Sequence, residues 1–173
     1  MSKQTLIQKI ILQIQILRIQ IQILIYKKKL TVPNENDPTK IILHHSAGDW
    51  SFHEINQAHK NRWGFRSSLG YFIGYTYFID KDGTVHQGRS DIEEGAHTRG
   101  FNRGTIGICL QGNFELENPS DRQLEVLEWL MERKFEQYNM DRGNVWLHRK
   151  FANTLCPGKN FIKALRDKGL FSN

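Results

Sequence analysis

Two short apolar runs in this chain each end on a histidine. KIIL leads into His44 and VWL into His148, and Cys156 follows in HRKFANTLCPG. Runs of this length and composition read as buried strands. Any fold that uses all three residues together must bring the ends of two distant strands side by side. Two imidazoles and one thiol make a three-ligand set for zinc, and a catalytic zinc keeps its fourth position for water. The step from His148 to Cys156 is too long for one helix turn and suits a loop folding back on a metal. Pro157 and Gly158 are turn residues that would fix where the thiolate points. Structural zinc sites usually show paired ligands such as CxxC. This chain has none, so the pattern favours a catalytic site.

The rest of the pattern predicts an α/β class, with a central mixed β-sheet flanked by helices. KIILHHSA reads as a strand. Ser51 and Glu54 form a capping box that opens a helix through about Asn61. LGYFIGYTYFID reads as a strand with Gly74 as its weak point, KDGT as a tight turn and TVHQG as the returning strand. A polar, glycine-rich stretch, EEGAHTRGFNRG, precedes a further strand, TIGICLQGNF. Ser120 and Gln123 repeat the capping box ahead of an amphipathic helix carrying Leu124, Leu127, Leu130, Met131, Phe135 and Tyr138. NVWLH is the last strand and NFIKALRDKGLF a closing helix. Strands and helices alternate, which gives the α/β class, and the hairpin makes the sheet mixed.

The formal charge of +6 is concentrated at one end. Lys3, Lys9, Arg18 and Lys27–Lys29 lie in residues 1–30, which hold no acid, while residues 31–173 carry eighteen bases against eighteen acids. A nucleic-acid partner would need a basic face on the folded domain, so none is expected. Residues 1–30 read as a helix, with Ile7, Ile10, Ile14, Leu17, Ile21 and Leu24 at heptad spacing. Leu12, Ile16, Ile19 and Ile23 are apolar off that seam. Alternation of Ile19, Ile21, Ile23 and Ile25 leaves a strand as the alternative. Glutamines break the apolar run and no small-residue cleavage site follows, which speaks against a signal peptide. Arg18 and the glutamines speak against a membrane span. A membrane-surface or self-associating helix over residues 4–29 fits best, with Lys27–Lys29 suiting both the helix dipole and anionic lipid. Residues 31–39 read as a linker and 40–173 as the domain.

The chemistry expected of a zinc held by His44, His148 and Cys156 is attack of activated water on an amide carbonyl. The oxyanion then needs a donor beside the metal. Tyr75 is the candidate, with Thr154 a second. There is no HExxH helix to supply a glutamate base. His45 should face the opposite side of its strand from His44. His53, His59 and His86 read as structural, and Cys109 as a free core thiol.

LHHSAG, IGYTYFIDKDGTVHQGR, GAHTRGFNRGTIGICLQGNF and LHRKFANTLCPG resemble, in order and spacing, the zinc N-acetylmuramoyl-L-alanine amidases, which include phage amidase-type lysozymes and animal peptidoglycan recognition proteins. The resemblance covers about residues 38–167. It implies His44, His148 and Cys156 as Zn2+ ligands, Tyr75 as the catalytic tyrosine, and a central mixed sheet flanked by helices. Two residues before the cysteine, where phage enzymes often carry lysine, this chain has Thr154, as some recognition-protein amidases do. Non-catalytic recognition proteins typically lose the zinc cysteine, which is present here. The resemblance also implies peptidoglycan as partner, with His97 and Asn102 in the substrate groove. The expected setting is a protein made in the cytoplasm that acts on the cell wall, as an endolysin or a wall-remodelling enzyme.

Overall fold

The computed structural model describes the backbone of residues 3–31 and 35–171. The chain divides into two compact units, Met1–Glu35 and Asn36–Asn173.

The first unit is one helix, α1 (Lys3–Thr31). Every described side chain from Ile7 to Leu24 is exposed. Its heptad seam forms one apolar stripe. On the opposite side of the helix wheel lie Leu12, Ile16, Ile19 and Ile23, and glutamines at 8, 15 and 22 and at 13 and 20 run between the two stripes. Apolar residues thus occupy two opposed faces rather than one. The side chains of Lys27–Lys29, and residues 32–34 of the expected linker, lie outside the described residues. No described helix is long and apolar enough to cross a membrane.

The second unit runs β1 (Lys40–His45), α2 (Phe52–Arg62), β2 (Tyr77–Ile79), β3 (Val85–Gln87), β4 (Thr105–Leu110), α3 (Asp121–Tyr138), β5 (Val145–Leu147) and α4 (Lys159–Asp167), with single 3₁₀ turns on either side of β5. The sheet order is β3-β2-β4-β1-β5. Within the sheet β2 and β3 pair antiparallel, while β2–β4, β4–β1 and β1–β5 are parallel. This is the mixed sheet with flanking helices that the sequence predicts.

The central strands are covered on both sides, so they read as continuous apolar runs. One face carries Ile41, Leu43, Ile106, Ile108 and Leu110 and packs on Leu124, Leu127, Leu130 and Met131 of α3 and on Phe161 and Leu165 of α4. The other carries Phe78 and Cys109 and packs on Phe52 of α2 and on Ile73. Both capping boxes form: Ser51 with Glu54 opens α2, and Ser120 with Gln123 opens α3. Asn139 closes α3 in the left-handed conformation, at φ 52°, which asparagine tolerates better than most residues.

Two expectations shift. The strand predicted over LGYFIGYTYFID shrinks to Tyr77–Ile79. Its first half bends because α2 takes its backbone donors: the N–H groups of Phe72 and Ile73 bond to Asn56 Oδ1, and that of Gly74 bonds to His59 Nδ1. Gly74 itself lies against the Ala96 carbonyl, where a Cβ would fall 2.2 Å from oxygen. The stretch read as linker overlaps the second unit. Asn36 is buried, donates from Nδ2 to the carbonyls of Asp91 and Thr105, and accepts from the Gly104 N–H.

Candidate metal centre and cleft

Register builds the site. His44 is level with Cys109 on β4, and Leu43 is level with Leu147 on β5, so His148 follows β5 directly beside His44. The two imidazole centroids are 4.5 Å apart. Alternation puts His45 on the opposite face, where its Nδ1 accepts the Phe114 N–H at 3.1 Å. A 3₁₀ turn after His148 and a bond from the Arg149 N–H to the Cys156 carbonyl fold the following loop back. Cys156 Sγ then sits 3.7 Å from His44 Nδ1 and accepts the His45 N–H at 3.4 Å. One ligand atom from each of His44, His148 and Cys156 lies within 4.8 Å of the others. His44 and Cys156 are buried and His148 is partly exposed. Two imidazoles and a thiol converging with one side toward solvent fit a tetrahedral ion with an open position.

The electrostatics agree with that fit. Burial, reinforced by neighbouring histidines, holds the His44 pKa well below its ordinary value, and burial lowers that of His148. Both rings are therefore neutral near pH 7, with a lone pair for a cation. Burial pushes the Cys156 thiol up to about 12, against smaller opposing effects of the His45 N–H and Arg149. Without a cation this sulfur keeps its proton; a coordinated thiol loses it.

Tyr75 stands over the cluster, its ring 5.1 Å from that of His44. Burial, with a smaller contribution from the neighbouring Cys109 and Cys156 thiols, raises its phenol well above the ordinary value. It is a neutral donor at any physiological pH. Thr154 Oγ1 accepts the Cys156 N–H at 3.2 Å and so braces the cysteine loop. His97 and Asn102 come from the glycine-rich stretch. Asn102 Oδ1 accepts the N–H groups of His97 and Thr98 at 2.9 and 2.7 Å. His97 Nδ1 lies 3.1 Å from His44 Nε2. Burial, and to a smaller extent His148 and Arg89, lowers the His97 pKa to about 3.

A cleft of about 660 Å³ opens over this cluster. Tyr75, His97, Asn102 and His148 line it, together with His59, Arg62, Trp63 and Phe65 from the end of α2 and beyond, and Thr98 and Arg99. Sequence reasoning set His59 aside as structural. It does cap Gly74, with burial lowering its pKa to about 4, yet it also faces the cleft. Arg62, Trp63 and Phe65 were not singled out either. The one signal for them was an aromatic-cationic run directly after a helix whose cap was already legible.

The family model described as N-acetylmuramoyl-L-alanine amidase matches residues 34–159. Peptidoglycan-recognition protein SD of Drosophila simulans is 32% identical over 125 residues, spanning 69% of this chain and 67% of that relative. N-acetylmuramoyl-L-alanine amidase LysC from Clostridium intestinale URNW superposes with a TM-score of 0.69 at 32% identity, covering 82% of this chain and 92% of its own. The ectodomain complex of peptidoglycan recognition proteins LCa and LCx, solved with tracheal cytotoxin bound, gives 0.68 at 27% identity over 79% of this chain and 85% of that one. The matched region takes in β1 through the start of α4 and every residue of the cluster, and on that ground the chain belongs to the N-acetylmuramoyl-L-alanine amidase family.

Proposed function

We propose that this protein is a zinc-dependent amidase that hydrolyses the bond between the lactyl group of N-acetylmuramic acid and L-alanine in peptidoglycan. The observation that carries the reading is the convergence of His44, His148 and Cys156 beside an open cleft whose lining includes His148 and Tyr75. When bound, zinc supplies Lewis-acid polarisation of the scissile carbonyl and makes a water more acidic. The chain's own residues supply the rest. Tyr75 holds its proton and donates it as a hydrogen bond to the developing oxyanion. Thr154 holds the cysteine loop in place. Arg62 and Arg99 give the cleft a positive wall suited to carboxylate-bearing stem peptides, and Trp63 and Phe65 offer flat apolar faces to sugar rings. The setting is the cell wall, for an endolysin or a wall-remodelling enzyme with bacteriolytic action, and α1 would act as a membrane-surface or self-associating segment.

Digestion of purified cell walls tests this. Release of new L-alanine amino termini, lost with a chelator and restored by zinc, is the expected result. The second reading is a module that binds peptidoglycan without cutting it, favoured by the tracheal cytotoxin seen on the LCa–LCx relatives. Wall binding with no amino termini released, zinc present, would replace the first reading with the second.

A further inference from the structure

The contact between His97 and His44 has a role that neither the cleft nor the ligand set accounts for. His44 offers two ring nitrogens. Nδ1 faces the Cys156 sulfur at 3.7 Å. Nε2 is taken by the neighbouring segment, with His97 Nδ1 at 3.1 Å and Thr98 Oγ1 at 3.4 Å. We propose that His97 is a positioning residue: its Nδ1 accepts the His44 Nε2 proton and so locks His44 in the tautomer whose Nδ1 lone pair faces Cys156 and His148. The assignment rests on the metal-centre reading above, because an imidazole can present Nδ1 to a cation only when Nε2 carries the hydrogen. A partner on the second nitrogen is what fixes tautomer and ring angle in a metal-binding histidine.

The surroundings are built to hold His97 in that role. If Nδ1 accepts, the ring proton is on Nε2, and Thr105 Oγ1 lies 3.4 Å from it as acceptor. The Thr105 hydroxyl proton has the carbonyls of Phe101 and Asn102 within 2.9 and 2.8 Å. Every donor in the series His44–His97–Thr105 thus has an acceptor, and the series ends on backbone. The ring is seated by absent side chains. A Cβ on Gly107 would fall 2.5 Å from His97 Cδ2, and a Cβ on Gly95 would meet the same atom at 2.5 Å. Asn102 clamps the backbone on both sides of the ring through its two accepted N–H bonds. His97 is therefore tied at Nδ1 to His44 and, at 3.0 Å, to the Thr98 hydroxyl, and at Nε2 to the β4 strand.

The test uses the full chain with zinc as the only probe. In zinc-free wild-type protein, ¹⁵N NMR of the histidine rings should show His44 as the Nε2–H tautomer, with a through-hydrogen-bond coupling between His44 Nε2 and His97 Nδ1. That measurement needs no variant and no metal; a His44 carrying its proton on Nδ1 would overturn the proposal outright. Competition with a chromophoric chelator should then show zinc held 10- to 100-fold more weakly by His97→Leu than by wild type. His97→Gln, whose amide oxygen can accept the same proton, should recover part of that loss. If wild type binds zinc and His97→Leu binds it equally tightly, His97 is not a positioning residue. If wild type binds no zinc, the metal-centre reading fails instead, and the ring spectrum still decides which tautomer His97 selects.

Discussion

At the residue scale the reaction depends on few atoms, and each makes its own prediction. Cys156→Ser removes the only sulfur in the cluster; zinc content measured after dialysis should fall to a small fraction of wild type and wall digestion should all but stop. Tyr75→Phe keeps the ring packing and deletes the donor. Zinc content should stay unchanged while turnover drops on the order of 10²–10³-fold, as for loss of one oxyanion donor; an unaltered rate would assign the phenol to packing. The pH dependence of the metal-free protein follows from the burial of these groups. His97 at about 3 and His59 at about 4 lie below the ordinary imidazole value of 6.5, so the unfolded chain binds more protons than the folded one once pH drops under 6.5. Cys156 at about 12 lies above the ordinary 9.0, so stability is lost as pH rises from 9 toward 12. Melting temperature against pH should be flat between about 6.5 and 9 and decline on both sides. The two metal-type histidines were legible because strand ends are fixed by short apolar runs, and Cys156 because turn residues follow it. The tie between His97 and His44 was not, because it depends on the β4–β1 register and on two glycines whose importance lies in what they lack.

At the scale of single elements, local chemistry decided how much could be read. Both capping boxes are contained within four residues, and both helices begin where those residues place them. Ser120 is the more exposed to test, since its hydroxyl accepts the Gln123 N–H and also donates to the Lys81 carbonyl. Ser120→Ala should cost about 1–2 kcal/mol in urea unfolding, the upper part of the range for an N-cap; a change too small to measure would mean the cap contributes nothing here. Leu127, fully buried between α3 and the sheet, should cost about 2–5 kcal/mol as Leu127→Ala. The stretch from Tyr71 to Thr76 misled because aromatic, β-branched composition describes a half-buried surface rather than a ladder. Its donors go to Asn56 and His59, some sixteen positions earlier, and nothing within the stretch announces that.

Across the whole molecule, the boundary between the two units sets the limits of truncation. A chain beginning at Glu35 keeps Asn36 and should melt at the wild-type temperature and digest soluble muropeptides. One beginning at Lys40 loses the three side-chain bonds of Asn36 to Asp91, Gly104 and Thr105. At about 1 kcal/mol for each net hydrogen bond, it should be less stable by roughly 3 kcal/mol; equal stability of the two would make Asn36 dispensable. The division of charge between residues 1–30 and the rest was plain in the sequence, as was the helical period of α1. That four further residues belong to the second unit was not, because a buried asparagine in a proline-containing polar stretch has no periodic signature.

The place of β1 in the sheet bears on how this protein is made. β1 is made before both of its sheet neighbours, β4 and β5, whose residues begin at Thr105 and Val145. At about 5–20 residues per second, the nascent β1 waits roughly 5–20 s for its second neighbour, with one strand edge unpaired after β4 has docked on the other. Cys156 emerges later still. An unpaired strand edge is a template for pairing with another chain, so a slow codon placed between β4 and β5 would lengthen the time for which β1 offers one.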